Sequence, residues 1–176
     1  MIVVSLLGLK KCGKTTTAEA LIREFKRRGF KVGGVKCMHH AAMTIDAEGK
    51  DTFRQMEAGA DFVISLSKGE IAYIEKKKGR LSLADALRHV PCDSDIIICE
   101  GLEDDAPGIL RVVLAKSPEL LPETFKIRGV EGGVLALSGV MANKAKRRLE
   151  YPVFNCTVPR QVRALADLIL SKAPDM

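Results

Sequence analysis

The chain opens on an unbroken apolar run, Ile2-Val3-Val4-Ser5-Leu6-Leu7, rich in β-branched residues. A short run of this kind, closed by a glycine, reads as a strand buried on both faces. Beyond residues 8–13 the period changes. Ala18, Leu21, Ile22 and Phe25 fall at i, i+3, i+4 and i+7, the spacing of one helical face, and Gly29 stops that helix after Lys26-Arg27-Arg28. Residues 31–36 read as a second strand. Strand, loop, helix and strand in that order call for a parallel sheet.

Further along, 38–50 is polar and loop-like, and 51–58 predicts a short helix with Asp51 as its N-cap. Residues 62–66 and 71–74 alternate as two strands around Ser67-Lys68-Gly69-Glu70, which predicts a hairpin. Ser82 with Asp85 makes a capping box for a helix reaching His89. Three more buried strands follow at 96–99, 109–115 and 133–137. The Pro- and Gly-containing stretch 116–131 reads as irregular. A last helix starts near Pro159 and carries one apolar stripe, Val162, Leu165, Ala166 and Ile169. No repeat or linker divides the chain, so residues 1–176 are expected to form one domain.

Composition narrows the class. With 47% hydrophobic and 28% charged residues over 176 positions, the chain has the balance of a globular protein. It has no Trp and 5% aromatic residues, which argues against a protein that stacks single-stranded bases. The net charge of +6 suits nucleotides or acidic partners, and the basic runs 76–78 and 144–148 read as solvated surface. Five cysteines, Cys12, Cys37, Cys92, Cys99 and Cys156, are scattered without a CxxC pair. That disfavours a disulfide scaffold and fits a reducing cytoplasm. No apolar run approaches the ~20 residues needed to span a membrane, and no nucleic acid is expected as a partner.

The chemistry sits in the loop after the first strand. Gly8, four residues, then Gly13-Lys14-Thr15 is the spacing of a phosphate-binding loop. Glycines let the backbone turn its N–H groups onto a polyphosphate, and the following helix adds its positive end. Residues Gly8, Leu9, Lys10, Lys11, Cys12, Gly13, Lys14, Thr15 and Thr16 are therefore the expected nucleotide contacts. Lys14 reaches the β- and γ-phosphates and the Thr15 hydroxyl ligates Mg²⁺. Such proteins place a metal-supporting acid at the end of a buried strand. Glu100 ends the apolar run 96–99, and Gly101 after it can bring a backbone N–H near the γ-phosphate. Read otherwise, Glu100 is an ordinary strand-end carboxylate. Asp95, at the other end, reads as structural.

Residues 35–60 hold Lys36, Cys37, His39, His40, Asp46, Lys50, Asp51 and Arg54. This stretch reads as a nucleotide- or substrate-contacting loop with Asp46 or Asp51 near the metal, as a solvated loop, or as a thiol–imidazole site for Zn²⁺, Ni²⁺ or Cu. Asn143-Lys144 follows a buried strand, where GTPases often read guanine with Asn-Lys-x-Asp. Lys146 stands here in the Asp position, so base contact competes with a plain basic turn.

Together these pieces resemble the molybdopterin-guanine dinucleotide biosynthesis protein B family, MobB. The loop resembles the family's Gly-x-Lys-x-x-Gly-Lys-Thr-Thr. Lys36, His39-His40, Asp46, Gly49-Lys50-Asp51 and Ala58-Gly59-Ala60 resemble its second segment, and 96–101 its strand ending in Glu-Gly. Cys37 stands where the family has its first histidine. The resemblance implies an α/β fold, a P-loop NTPase-like, mostly parallel sheet flanked by helices with a small hairpin insertion. It also implies a homodimeric GTP-binding accessory protein of molybdenum-cofactor biosynthesis, weakly hydrolytic with Mg²⁺. The expected partners are molybdopterin and a MobA-like nucleotidyltransferase. Lys14 and Glu100 would be the catalytic candidates, and Thr15, Glu100 and Asp46 the metal candidates. A metal-insertion GTPase using Cys37, His39 and His40, a small-molecule kinase with Arg54 and Arg80 over the phosphates, and a purely structural module remain as alternatives.

Overall fold

Strand β1 (Ile2–Gly8) is buried at every position. A strand in the middle of a parallel sheet is covered on both faces, which is why its sequence is apolar throughout rather than alternating. The structure, a computed structural model, describes residues 1–38, 44–77, 79, 81–104, 106–144 and 149–172. They form two compact units, one of Met1–Cys37 with Leu83–Met176 and one of Met38–Ser82.

In the first unit β1 lies between β5 (Ile96–Glu100) and β6 (Ile109–Leu114). Strand β2 (Val32–Lys36) flanks β5, and β7 (Val134–Ser138) flanks β6. All four pairings are parallel, in the order β2-β5-β1-β6-β7. Leu6 is level with Glu100 and Gly8 with Leu114. The chain therefore leaves β1 at the sheet edge where Glu100 ends its strand, the edge where α/β folds collect ligands.

Alternation within the strands divides the core. Ile2, Val4 and Leu6 pack with Leu21 and Phe25 of α1 (Lys14–Arg27) and with Leu165 and Ile169 of α5 (Pro159–Ser171). On the other face, Val3, Ile97 and Cys99 meet Leu83, the first residue of α3 (Leu83–Leu87). Val113 and Leu137 meet Leu121 of α4 (Leu121–Ile127). One charged group is sunk beside the first core. Glu24 accepts from Arg27 at 2.8 Å and Arg28 at 2.7 Å, and Arg28 reaches on to Asp167 of α5 at 2.7 Å. The Arg27 guanidinium, with Arg28 behind it, holds the Glu24 carboxyl at about 2, below its ordinary value, against the opposing effect of burial.

Three local expectations change. The stretch 116–131 is not irregular: a 3₁₀ turn at Pro118–Leu120 leads into α4. Its Pro122 sits in the first turn and Gly129 follows the end with φ 59°, so proline and glycine bracket the helix instead of breaking it. In the second unit, α2 (Asp51–Glu57) has Lys50, not Asp51, at the N-cap. Asp51 lies inside the first turn, where its charge still complements the positive helix end. Helix α3 stops at Leu87, short of His89, and its first N–H, from Leu83, goes to Asp104 Oδ2 at 2.9 Å.

The predicted hairpin forms in the second unit from β3 (Phe62–Leu66) and β4 (Ile71–Glu75), antiparallel, closed by Ser67 N–H donating to Glu70 O at 3.0 Å. Among the described residues, no helix is long and apolar enough to cross a membrane.

Candidate functional site

The turn out of β1 carries two left-handed residues, Lys11 (φ 58°) and Gly13 (φ 97°). That conformation is costly for lysine and natural for glycine. It curls the backbone into the concave shape whose N–H groups bind anions. Gly8 has no room for a side chain, since a Cβ there would lie 2.4 Å from Leu114 O and 2.6 Å from Cys12 Sγ. Directly after Gly13, helix α1 begins at Lys14, so its positive end opens into the loop.

Two side chains of the loop are held by hydrogen bonds. Lys14 Nζ folds back to donate to Leu9 O at 2.7 Å and Gly8 O at 3.0 Å. Thr15 Oγ1 faces both carboxylate oxygens of Glu100 at 3.1 Å. No strand separates β1 from β5, so the hydroxyl and the carboxylate meet directly. Lys36 Nζ, at the end of β2, also reaches Glu100 Oε1, at 2.9 Å. A hydroxyl and a carboxylate are hard oxygen donors of the kind Mg²⁺ takes, alongside phosphate oxygens and water. The lysine on the same carboxylate marks the place as one that draws a cation. The residues present therefore fit a nucleotide phosphate chain with its Mg²⁺.

The other predicted residues fall out as follows. Lys10 and Lys11 are exposed on the loop. Cys12 is buried with its Sγ 3.9 Å from Lys14 Nζ. Burial raises its thiol, and burial also pushes Cys99 up to about 12, so both are protonated packing groups rather than nucleophiles. Gly101 has φ 82°, but its N–H is taken by Leu6 O at 2.9 Å. Asp95 is structural as expected: its carbonyl accepts the Ile2 N–H and its carboxylate the Lys31 N–H, both at 2.7 Å.

Asp46 belongs to the second unit. There its Oδ1 accepts from Thr52 and Ala47, and its buried Oδ2 has no hydrogen-bond partner among the described residues. Arg54 lies in α2. His39, His40, Arg80 and Lys146 lie outside the described residues. Among the described residues, no group of three or more His, Cys, Asp and Glu is placed to hold a metal ion.

Beside the start of α1 is a cavity of about 90 Å³, lined among others by Thr16, Val140, Asn143, Asn155 and Thr157. Asn143 ends a 3₁₀ turn, Val140–Asn143, and Lys144 caps it, exposed. Asn155 Nδ2 donates to Asn143 Oδ1 at 2.6 Å, while Asn155 Oδ1 accepts both the N–H and the hydroxyl of Thr157. The Asn143 amide oxygen thus accepts one hydrogen bond, and its NH₂ donates to no described residue.

Four residues of the site were not legible as candidates. Gly139 (φ 91°) presses on the loop, since a Cβ there would sit 2.3 Å from Cys12 O, and the next N–H, from Val140, donates to that same carbonyl at 3.0 Å. Asn155 and Thr157 build the cavity wall. Arg128, just past α4, donates from Nε to Gly8 O at 3.1 Å. The one sequence signal was glycine directly after a buried strand, at Gly139.

The family model for molybdopterin guanine dinucleotide synthesis protein B matches residues 3–127. The chain belongs to this MobB family. A molybdopterin-guanine dinucleotide biosynthesis adapter protein of Haemophilus influenzae is 32% identical over 109 residues, a span of 61% of each chain. The match thus covers under two thirds of that relative. Among solved structures, Bacillus subtilis MobB superposes with a TM-score of 0.74 at 22% identity over all of both chains. A MobB homolog from Bacillus stearothermophilus gives 0.66 at 20% identity over 97% of this chain and 99% of its own. These structures establish the MobB fold, a parallel sheet of P-loop NTPase type. Membership ties the chain to molybdopterin guanine dinucleotide synthesis, and the loop geometry of that fold implies nucleotide binding.

Proposed function

We propose that this chain is a GTP-binding accessory protein in making the guanine dinucleotide form of the molybdenum cofactor, with weak Mg²⁺-dependent GTPase activity. The observation that carries the reading is the meeting of Thr15 with Glu100 beside the Lys14 loop. Lys14 would leave the Leu9 and Gly8 carbonyls for the β- and γ-phosphates, and Lys10 and Lys11 would add charge at the rim. Thr15, with Glu100 supporting it, would hold Mg²⁺, which when bound would supply positive charge to offset that of the phosphates. Asp46, in the second unit, is the remaining metal candidate.

Guanine is favoured over adenine by the donor left on Asn143. Guanine offers two acceptors on one edge, N7 and O6, where adenine offers N7 beside a donor. Lys144 would flank the base. Residues 1–176 would act as one nucleotide-binding domain, in the cytoplasm, with molybdopterin and a MobA-like nucleotidyltransferase as partners. A second copy is the expected partner for the hairpin face of Phe62, Ile64, Leu66, Ile71 and Tyr73, all exposed. Glu75, opposite Phe62 at one end of that face, is paired with Lys77 at 3.5 Å, so the apolar centre of two identical faces would meet without like charges opposed.

Calorimetric titration with GTP and ATP, with and without Mg²⁺, tests this. The wild-type chain is expected to bind GTP more tightly than ATP, and more tightly with Mg²⁺. Lys14→Ala should weaken GTP binding by roughly 100-fold, the worth of one or two charge-assisted bonds. Equal binding by the two proteins, or none by either, refutes the reading.

A further inference from the structure

The Gly8 carbonyl accepts two cationic donors, Lys14 Nζ at 3.0 Å and Arg128 Nε at 3.1 Å. They come from opposite ends of the chain's logic: Lys14 is six residues away and Arg128 is 120. Arg128 is also spoken for on its other side. Its Nη1 pairs with Glu103 Oε1 at 2.6 Å, with the two side chains only 15% and 21% exposed. Glu103 stands three residues past Glu100, in the segment that leaves β5 through the left-handed Gly101. One guanidinium therefore ties the first residue of the phosphate loop to the segment following the metal-side carboxylate. A planar, forked guanidinium aims separate nitrogens at the two partners in a fixed geometry.

The double acceptance at Gly8 has a further consequence. A nucleotide that draws Lys14 onto its phosphates takes a donor away from a carbonyl enclosed at the strand end. A buried carbonyl stripped of its partner costs free energy comparable to a lost hydrogen bond. Arg128 remains on that oxygen, so the Gly8 carbonyl keeps a donor when Lys14 moves. At the same time its pairing with Glu103 holds the segment after Glu100 against the loop.

We infer that Arg128 is a positioning residue for the triphosphate: by bridging Gly8 and Glu103 it frees Lys14 for the terminal phosphates and sets the segment after β5 to meet them. The inference rests on the nucleotide-binding reading above. It concerns the terminal phosphate, so it separates from general support of the fold. A purely structural arginine would weaken GDP and GTP alike. A positioning arginine should weaken a non-hydrolysable GTP analogue more than GDP.

The experiment measures both affinities, with Mg²⁺, for wild type, Arg128→Ala, Arg128→Lys and Glu103→Gln, with thermal melts of each. Arg128→Ala should lower the preference for the analogue over GDP by roughly tenfold, the size of one charge-assisted bond. Glu103→Gln, nearly isosteric and able to fold if Arg128→Ala is not, should lower it by a smaller factor. Arg128→Lys should fall between Arg128→Ala and wild type. Variants that bind both nucleotides more weakly by one common factor, or with the wild-type preference, overturn the inference and leave the functional reading standing. A wild-type chain that binds neither nucleotide overturns both.

Discussion

The carboxyl edge of the five-stranded sheet and the hairpin of the inserted unit spend their side chains in opposite ways. At the sheet edge the apolar residues are gone inward: Leu6, Cys99 and Leu114 are fully buried, and what reaches the rim is polar and mutually held. Thr15 and Lys36 both reach Glu100, and Lys14 rests on carbonyls of its own loop. In the hairpin the apolar residues point outward. Ile64 lies opposite Tyr73 and Leu66 opposite Ile71, with Leu66 and Ile71 more than 70% exposed. A two-stranded hairpin has no second layer of its own to cover such a face. The first arrangement carries its charges paired on the rim, and the second leaves most of its apolar side chains to solvent. On the function proposed above, the first would take a charged ligand and the second an apolar surface.

The sharpest way to break that contrast is at Gly139, where the claim that the sheet edge is finished meets its tightest packing. An alanine there must adopt φ near 91° and put its Cβ 2.3 Å from Cys12 O. Left-handed backbone costs an alanine about 1–2 kcal/mol and overpacking adds a similar amount. Gly139→Ala should thus lose about 3 kcal/mol of stability in a denaturant melt, with weaker nucleotide binding through the displaced Cys12 carbonyl. Wild-type stability would mean that the edge yields easily.

How much of this was readable in advance follows from distance along the chain. The phosphate loop is local: its glycines, lysine and threonine fall within eight residues, flanked by a strand and a helix with clear periods. Glu100 was readable because a carboxylate ending an apolar run has few places to go but the sheet edge. Lys36 was visible in its loop, but its pairing with Glu100 needs β2 to lie beside β5, which no local pattern states. Arg128, Gly139 and Asn155 reach the site from more than 100 residues away in the chain. Helix α4 is hidden by its composition, because its prolines and glycines suggest a loop by their number and a helix only by their position. Pro122 in the first turn and Gly129 past the end are helix signals of the same strength as those that correctly placed α5. The Leu83 N–H in the first turn of α3 is taken by Asp104, and a partner 21 residues away leaves no local trace.

The second test probes the inner polar groups of the first unit through pH. Glu24 has a folded value of about 2 against an ordinary 4.5, so the folded state binds its proton less readily than the unfolded chain does. Its contribution is fully present above 4.5 and is lost as pH falls toward 2. The Glu24→Gln variant has no carboxylate to protonate, so its melting temperature should fall less than wild type's between pH 5 and pH 2. Parallel pH curves for the two proteins would show that the pairs of Glu24 with Arg27 and Arg28 contribute nothing through charge.

The smallest expected effect on the fold belongs to the hairpin face, and its smallness is the point. Leu66 is 73% exposed, so Leu66→Lys removes little buried area and should change the stability of the isolated chain by about 0.5 kcal/mol or less. Its effect should appear in association instead. A protein stabilised by binding a second copy melts at a temperature that rises with its concentration. Wild type should show that rise and sediment as a dimer; Leu66→Lys should melt at one temperature at every concentration and sediment as a monomer, because a lysine facing its own copy across a two-fold axis sets like charges against each other in an apolar contact. A large loss of stability at the lowest concentration would show instead that the hairpin face is part of the chain's own core, and the contrast between a finished edge and an open face would fail. A monomeric wild type would keep the face open and remove the second copy as its partner, leaving the hydrocarbon surface to a different protein of the same pathway.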